Sequence, residues 1–179
     1  MEEKGRKMQE QKIKSNIESK KADDPAVTQN LQAEEEITEQ DRERARFLGE
    51  EVGFSKDVNL KIVDVGKGRC VGKVTIEKRH LNPLNTVHGG VFFTLADTIC
   101  GLAAASSGYG GPTVQGDMDY LRPVRGKEIR CTANVVKTGR TLTWVEGVIT
   151  DDTETEVART KFIYYRLKET EHFGFRSRE

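Results

Sequence analysis

The 179-residue chain lacks an excess of charge of either sign, because 29 lysine and arginine residues balance 29 aspartate and glutamate residues. A nucleic-acid-binding domain usually carries a basic excess that neutralises phosphates. The balance therefore argues against a nucleic-acid partner. The length suits one ordinary domain, with residues to spare.

Cysteine is scarce, with three residues far apart in the sequence at Cys70, Cys100 and Cys131. They form no Cys-x-x-Cys pair, and the three histidines supply no zinc-binding spacing with them. An odd number of distant cysteines is typical of reduced, mostly buried thiols in a cytoplasmic protein. We therefore predict a cytoplasmic location, no metal and no redox cofactor.

Long apolar runs are also scarce, since only residues 87–107 approach the length that spans a bilayer. Asp97 lies in the middle of this run, and a carboxylate at the bilayer centre costs about 2.5–3.5 kcal/mol on insertion scales. The first residues of the sequence are charged and do not resemble a secretory signal. We therefore expect no membrane partner and assign the run to the core of a globular domain.

Residues 1–45 are dense in charge and nearly devoid of large apolar side chains. Such a segment cannot bury enough surface to offset its ordering entropy, so we predict a disordered or loosely helical N-terminal extension. Near its end, Thr38 is a candidate N-cap and Asp41 a candidate capping-box acid for a short helix over residues 38–51. The folded domain is then predicted over residues 46–170, followed by a polar tail at 171–179.

Hydrophobic periodicity and turn signals predict two strands, one long apolar helix and four further strands. The helix is predicted over residues 87–107, and the strands over residues 58–65, 70–77, 113–124, 128–137, 141–150 and 156–167. A helix that is apolar on nearly all sides must be widely covered. We therefore predict an α+β domain in which a curved antiparallel sheet of about six strands wraps around one long central helix. The free edges of such a sheet invite pairing with a second copy of the chain.

The long apolar run carries one ionisable acid, Asp97, and opens with the paired glycines Gly89 and Gly90. A buried carboxylate is costly unless it is paired, hydrogen-bonded or used. Asp97 is therefore either held by neighbouring hydroxyls, such as those of Thr94 or Thr98, or kept for chemistry. The glycines leave the first helical N–H groups accessible to a ligand oxygen at the positive end of the helix dipole.

The spacing of Gly89 and Asp97 links catalysis to assembly. Eight residues of helix separate them by about 12 Å along the axis, at a rise of about 1.5 Å per residue. Catalytic groups must lie within about 3 Å of the atoms on which they act. One carbonyl therefore cannot contact both residues of a single chain, and we predict composite sites in a homodimer or in a homotetramer built from two dimers.

Residues 80–104, which read HLNPLNTVHGGVFFTLADTICGLAA, resemble the hotdog-fold acyl-CoA thioesterases of the phenylacetate-degradation (PaaI-like) type. The resemblance extends over residues 60–167 and rests on Asn82, the His88-Gly89-Gly90 triplet and Asp97. Related dehydratases and non-catalytic CoA binders share this fold. A hotdog dehydratase or hydratase and a non-catalytic acyl-CoA-binding module therefore remain alternatives.

The resemblance implies hydrolysis of an acyl- or aryl-acyl-CoA to the free acid and CoA, with no cofactor besides the coenzyme A of the substrate. It implies that Asp97 acts as general base or nucleophile and that the N–H of Gly89 polarises the thioester carbonyl. It also implies that Asn82 orients the carbonyl or the sulfur and that His88 fixes the start of the helix. Gln115 takes the place of a family Ser or Thr that positions water.

The resemblance also implies a binding region for the substrate. CoA phosphates require cations and backbone donors. One turn of this sequence matches the CoA-binding turn of the family, and Arg140 in it is the first candidate to bind a phosphate. The candidates in this turn are Lys137, Gly139, Arg140 and Thr141. Arg122 is a second candidate. The acyl group is expected to lie against Phe92 and Phe93. The remaining histidines, His80 and His172, are expected at the surface.

Overall fold

The structure is a computed structural model that describes residues 37–108 and 110–167. The predicted extension therefore lies outside the described residues up to residue 36, as do the tail at 171–179 and His172. In chain order, the elements are α1 (Glu39–Arg46), a π-helical turn (Phe47–Glu51), α2 (Gly53–Asp57), β1 (Leu60–Gly66), β2 (Arg69–Thr75), a 3-10 turn (Lys78–His80), α3 (Gly89–Ser106), β3 (Thr113–Tyr120), β4 (Glu128–Thr138), β5 (Leu142–Asp151) and β6 (Glu156–Tyr165).

The six strands form one sheet with the order β1-β2-β4-β5-β6-β3, and all neighbouring strands are antiparallel. A two-residue turn joins β1 to β2, and Gly68 in this turn has a φ of +66°, a conformation that glycine adopts without strain. α3 packs on one face of the sheet against β2, β4, β5 and β6. The predicted fold class, a hotdog-type sheet around one central helix, is confirmed.

Half of the residues of α3, nine of eighteen, are buried in the core. Length and composition would allow this helix to cross a membrane, but half of it is buried inside the domain, as in a core helix. In the single chain, one stripe of α3 with helical spacing stays at least partly exposed. The stripe, called here the open stripe, consists of Gly90, Phe93, Thr94, Asp97, Thr98 and Gly101.

Close packing fixes the height of α3 above the sheet. A Cβ atom on Gly72 of β2 would lie 2.2 Å from Cδ1 of Ile99. Only glycine at position 72 therefore allows α3 to approach β2 this closely. The three cysteines are free and buried, as predicted. Burial raises the pKa of the Cys70 thiol to about 12, which keeps it protonated at neutral pH.

The N-terminal helix begins where the sequence predicted. The Thr38 side chain accepts the N–H of Asp41, and the Asp41 carboxylate accepts the N–H of Thr38, so the capping box is complete. This helix is part of the folded unit, because its Ala45 is buried in the core and Ile37, just before the helix, packs against the same core.

The same N-terminal segment covers the free edge of β1. The Glu50 carboxylate accepts the N–H of Ile62 at 2.8 Å, where the ladder to β2 is interrupted by a bulge, and Arg42 donates to the carbonyl of Val65. These side chains occupy backbone groups that another strand would otherwise use. At the opposite edge, β3 pairs only with β6, and Val114 is 58% exposed. The edge open to a second chain is therefore β3.

Candidate active site

Asp97 lies at the middle of the open stripe, and its side chain is half-buried. Its Oδ1 accepts a hydrogen bond of 2.8 Å from the Thr113 hydroxyl and one of 3.2 Å from the Tyr164 hydroxyl. The holding hydroxyls therefore come from β3 and β6, whereas the expected partner Thr94 donates to the carbonyl of Gly90. Among the described residues, no cationic side chain forms an ion pair with Asp97.

Thr113, and not Gln115, is the residue of β3 that contacts Asp97. The Gln115 side chain is exposed and donates to the Asp117 carboxylate at 2.7 Å. A bulge between Thr113 and Gln115 shifts the pairing of β3 with β6 and places Thr113 beside the acid. The role of Gln115 in positioning water stays a prediction.

The N-terminus of α3 offers one free N–H group where the sequence predicted two. His88 is the N-cap, and its Nδ1 accepts the N–H of Gly90 at 2.9 Å. Within the described residues, no acceptor lies in hydrogen-bonding distance of the Gly89 N–H. The Gly89 carbonyl accepts from the Tyr120 hydroxyl at 3.1 Å. Of the two glycine N–H groups at this terminus, that of Gly89 is therefore the one left without a described protein acceptor.

The Asn82 side chain closes its own loop. Its Oδ1 accepts the N–H groups of Leu84 at 2.9 Å and Thr86 at 3.2 Å, and its Nδ2 donates to the Thr86 hydroxyl at 2.8 Å. These bonds shape the chain that leads into His88. The structure thus gives Asn82 a part in forming the helix entrance, and it shows no contact of Asn82 with Asp97 or Gly89.

His80 is buried, 3% exposed, and the expectation of a surface position was wrong. Its Nδ1 accepts the N–H of Glu77 at 3.1 Å, and its carbonyl accepts the N–H of His88 at 2.8 Å. Burial lowers the pKa of His80, which favours the neutral ring at physiological pH. His80 therefore anchors the backbone just before α3.

Only one of the two predicted acyl-binding phenylalanines presents a surface. Phe92 is 3% exposed and packs in the core, where its ring meets the Tyr120 ring edge-on with the centroids 5.8 Å apart. The expectation that Phe92 contacts the acyl group is therefore corrected. Phe93 is 39% exposed, and its ring contacts the Phe162 ring with the centroids 5.2 Å apart. It lies on the open stripe one turn before Asp97.

The sequence profile of the thioesterase superfamily matches residues 84–158. Human acyl-coenzyme A thioesterase 13 is 33% identical over 95 residues, which cover 51% of this chain and 68% of the human protein. The chain belongs to the thioesterase superfamily. The acyl-coenzyme A thioesterase PaaI of Escherichia coli is 29% identical over 99 residues, which cover 55% of this chain and 71% of that protein. The resemblance to PaaI-like thioesterases is thus confirmed, and the chain is a thioester hydrolase.

A solved structure supports the same assignment. A hypothetical thioesterase from Streptococcus pneumoniae, determined with coenzyme A, superimposes with a TM-score of 0.58 at 28% identity. The matched region covers 61% of this chain and 86% of that protein.

The predicted CoA-binding turn of this thioesterase joins β4 to β5. Arg140 in the turn is exposed, and no described residue forms an ion pair or a hydrogen bond with its side chain. Lys137 lies over the Trp144 ring at 5.3 Å from the centroid. The Thr141 carbonyl accepts the N–H of Arg166 at 2.8 Å, which ties the turn to the end of β6. The turn therefore lies near the strand that carries Tyr164.

Arg122 of the thioesterase lies elsewhere, in an open groove of about 740 Å³. It donates to the carbonyl of Glu156, and Glu156 is in turn paired with Arg159. The groove is lined by Asp119, Tyr120, Leu121, Arg122, Thr155, Glu156 and Arg159. Tyr120 connects this groove to Gly89. Because Arg122 already has a partner, Arg140 remains the better candidate for a phosphate.

Proposed function

We propose that this thioesterase hydrolyses an acyl- or aryl-acyl-CoA thioester to the free acid and CoA. The observation that carries the proposal is the Asp97 carboxylate, which lies on the open stripe of an otherwise apolar helix, held by hydroxyls and by no described cation. A carboxylate in such surroundings is suited to take a proton or to attack a carbon. The names of the human and bacterial relatives, and the coenzyme A in the pneumococcal structure, support an acyl-CoA substrate.

Two routes are open to Asp97. As a general base, it takes a proton from water while the water oxygen adds to the thioester carbon. As a nucleophile, it forms an anhydride with the acyl group, which water then hydrolyses. In both routes negative charge develops on the carbonyl oxygen, CoA leaves as a thiolate and is protonated, and the acid is released. The proposed donor to that oxygen is the Gly89 N–H, and one such donor is typically worth about 3–4 kcal/mol of barrier.

We propose that the site forms between two chains. Both groups lie on α3 and are about 12 Å apart along its axis, too far for one carbonyl to contact both. The covered edge of β1 and the open edge of β3 support association through β3 into a homodimer, with a homotetramer as a pair of dimers. Each dimer would then hold two sites, with Asp97 from one chain and Gly89 from the other.

The proposal includes the surroundings of the substrate. The CoA phosphates bind the turn with Arg140, and the acyl group lies against Phe93 on the open stripe. The chemistry of Asp97 and Gly89 requires no metal or redox cofactor. A cytoplasmic location is proposed as well, supported by three unpaired, buried thiols.

The proposal predicts release of free thiol from acyl-CoA by the full-length chain. The probes are acetyl-, hexanoyl-, palmitoyl- and phenylacetyl-CoA, followed with a thiol-reactive dye, and at least one should be hydrolysed with a kcat/KM of about 10⁴ M⁻¹ s⁻¹ or more. A parallel assay follows the hydration of an enoyl-CoA. Hydration without thiol release, or CoA binding without turnover of any probe, would contradict the proposal.

A further inference from the structure

We propose that Tyr164 is a positioning residue for Asp97. Its hydroxyl, together with that of Thr113, holds Oδ1 of the carboxylate and leaves Oδ2 to react. This inference rests on the proposed function, because it takes Asp97 as the residue that acts on water or on the thioester.

Two neighbouring strands bring the hydroxyls to the same oxygen. Thr113 and Tyr164 are directly paired across β3 and β6. The Thr113 Oγ1 lies 2.8 Å from Oδ1 of Asp97, and the Tyr164 Oη lies 3.2 Å from the same atom. The Tyr164 Oη also lies 2.7 Å from the main-chain carbonyl oxygen of Asp97. Tyr164 therefore contacts both the side chain and the backbone of the residue that it positions.

The Tyr164 ring has little freedom to move away. It is 3% exposed and stacks on Phe162 with ring centroids 6.0 Å apart. The ring is also close to Gly101, one helical turn after Asp97, where a Cβ atom would lie 3.4 Å from its Cε1. The ring thus lies along α3 in contact with the stretch that contains Asp97.

The Tyr164 hydroxyl acts only as a hydrogen-bond donor toward Asp97. Burial first, and the nearby Cys100 and Asp97 next, raise the pKa of this phenol well above its ordinary value, so it stays protonated throughout any assay range. Its single hydrogen is shared between the main-chain carbonyl of Asp97 at 2.7 Å and Oδ1 at 3.2 Å. Tyr164 therefore fixes the plane of the carboxylate relative to the backbone of α3.

The test is Tyr164→Phe in the full-length chain, with Tyr165→Phe as the matched control. Tyr165 is the next residue of β6 and is 44% exposed. For Tyr164→Phe we expect kcat to fall about ten-fold and KM to change less than about two-fold, because one hydrogen bond to a charged group is lost. The split between kcat and KM is the readout, because a residue that only supports the fold would not lower kcat selectively. Tyr165→Phe should match the wild type in both measurements.

Folding of each variant is checked by circular dichroism and thermal unfolding. If Tyr164→Phe does not fold, Thr113→Val removes the other donor from an exposed position, and it must then lower kcat with little change in KM. A Tyr164→Phe protein with the kcat and KM of Tyr165→Phe would overturn the inference, as would an unaffected Thr113→Val protein. Asp97→Asn is assayed alongside: if it is inactive while Tyr164→Phe is normal, only the role of Tyr164 fails. If Asp97→Asn is fully active, Asp97 is not the reacting group and the inference about Tyr164 fails with it, whereas a wild-type chain that hydrolyses no acyl-CoA contradicts the proposed function.

Discussion

Replacing Asp97 with asparagine is expected to lower kcat for the best acyl-CoA substrate by about a thousand-fold or more. Asparagine keeps the shape of the side chain and can still accept from Thr113 and Tyr164, but it has no charge with which to take a proton or attack a carbon. The measurement is thiol release under saturating substrate. KM should change little, because the carboxylate is needed for the reaction and not for binding CoA.

The matched control is Asp57→Asn, which removes an exposed carboxylate at the end of α2. This variant should hydrolyse the same substrate at the wild-type rate. Hydrolysis by Asp97→Asn at that rate would show that the acid on α3 is not the reacting group.

Replacing Gly89 with proline is expected to lower kcat by about a hundred-fold to a thousand-fold, because it deletes the N–H that is proposed to bind the carbonyl oxygen. Gly89 is the first residue of α3, a position where proline is well tolerated. His88 before it has φ of −65° and ψ of 136°, which suits a residue that precedes proline. The helix is therefore expected to form normally in this variant.

Gly89→Ala separates the loss of the N–H from crowding. A Cβ atom at this position would lie 3.3 Å from the Tyr120 ring in either variant, but alanine keeps the N–H. We expect Gly89→Ala to retain most of the activity. Equal losses in the two variants would assign the effect to the contact with Tyr120, and an active Gly89→Pro protein would exclude Gly89 as the donor.

Local patterns were enough to predict the architecture. The alternation of apolar residues, the glycine-rich turns and the single apolar helix specified six strands and one central helix. The capping box of Thr38 and Asp41 was found from the two residue types and their spacing alone. These features are recognisable because each depends on residues that are close in the sequence.

The surroundings of Asp97 were harder to predict. The contact of Thr113 with Asp97 depends on the bulge at the start of β3, and a bulge leaves no clear mark in the sequence. Tyr164 lies 67 residues after Asp97, and no local pattern links the two residues. Only the packing of β6 under α3 brings its hydroxyl to the carboxylate.

The sequence also did not predict how α3 is rotated about its own axis, and therefore which of its residues face the sheet. Phe92 and Phe93 are adjacent, yet one is in the core and the other is on the open stripe. In a helix with apolar residues on nearly all sides, the sequence gives little indication of which residue faces the sheet. The position of the open stripe therefore had to come from the structure.

The most direct test of a site shared between two chains is to mix two inactive variants. Asp97→Asn and Gly89→Pro chains are produced together with different affinity tags, and the mixed dimers are compared with each parent. A mixed dimer contains one site with both Asp97 and Gly89 intact, so a random equal mixture should regain about a quarter of the wild-type activity. If the two groups act within one chain, every chain in the mixture carries a defect, and the absence of recovered activity in mixed dimers would contradict the shared site.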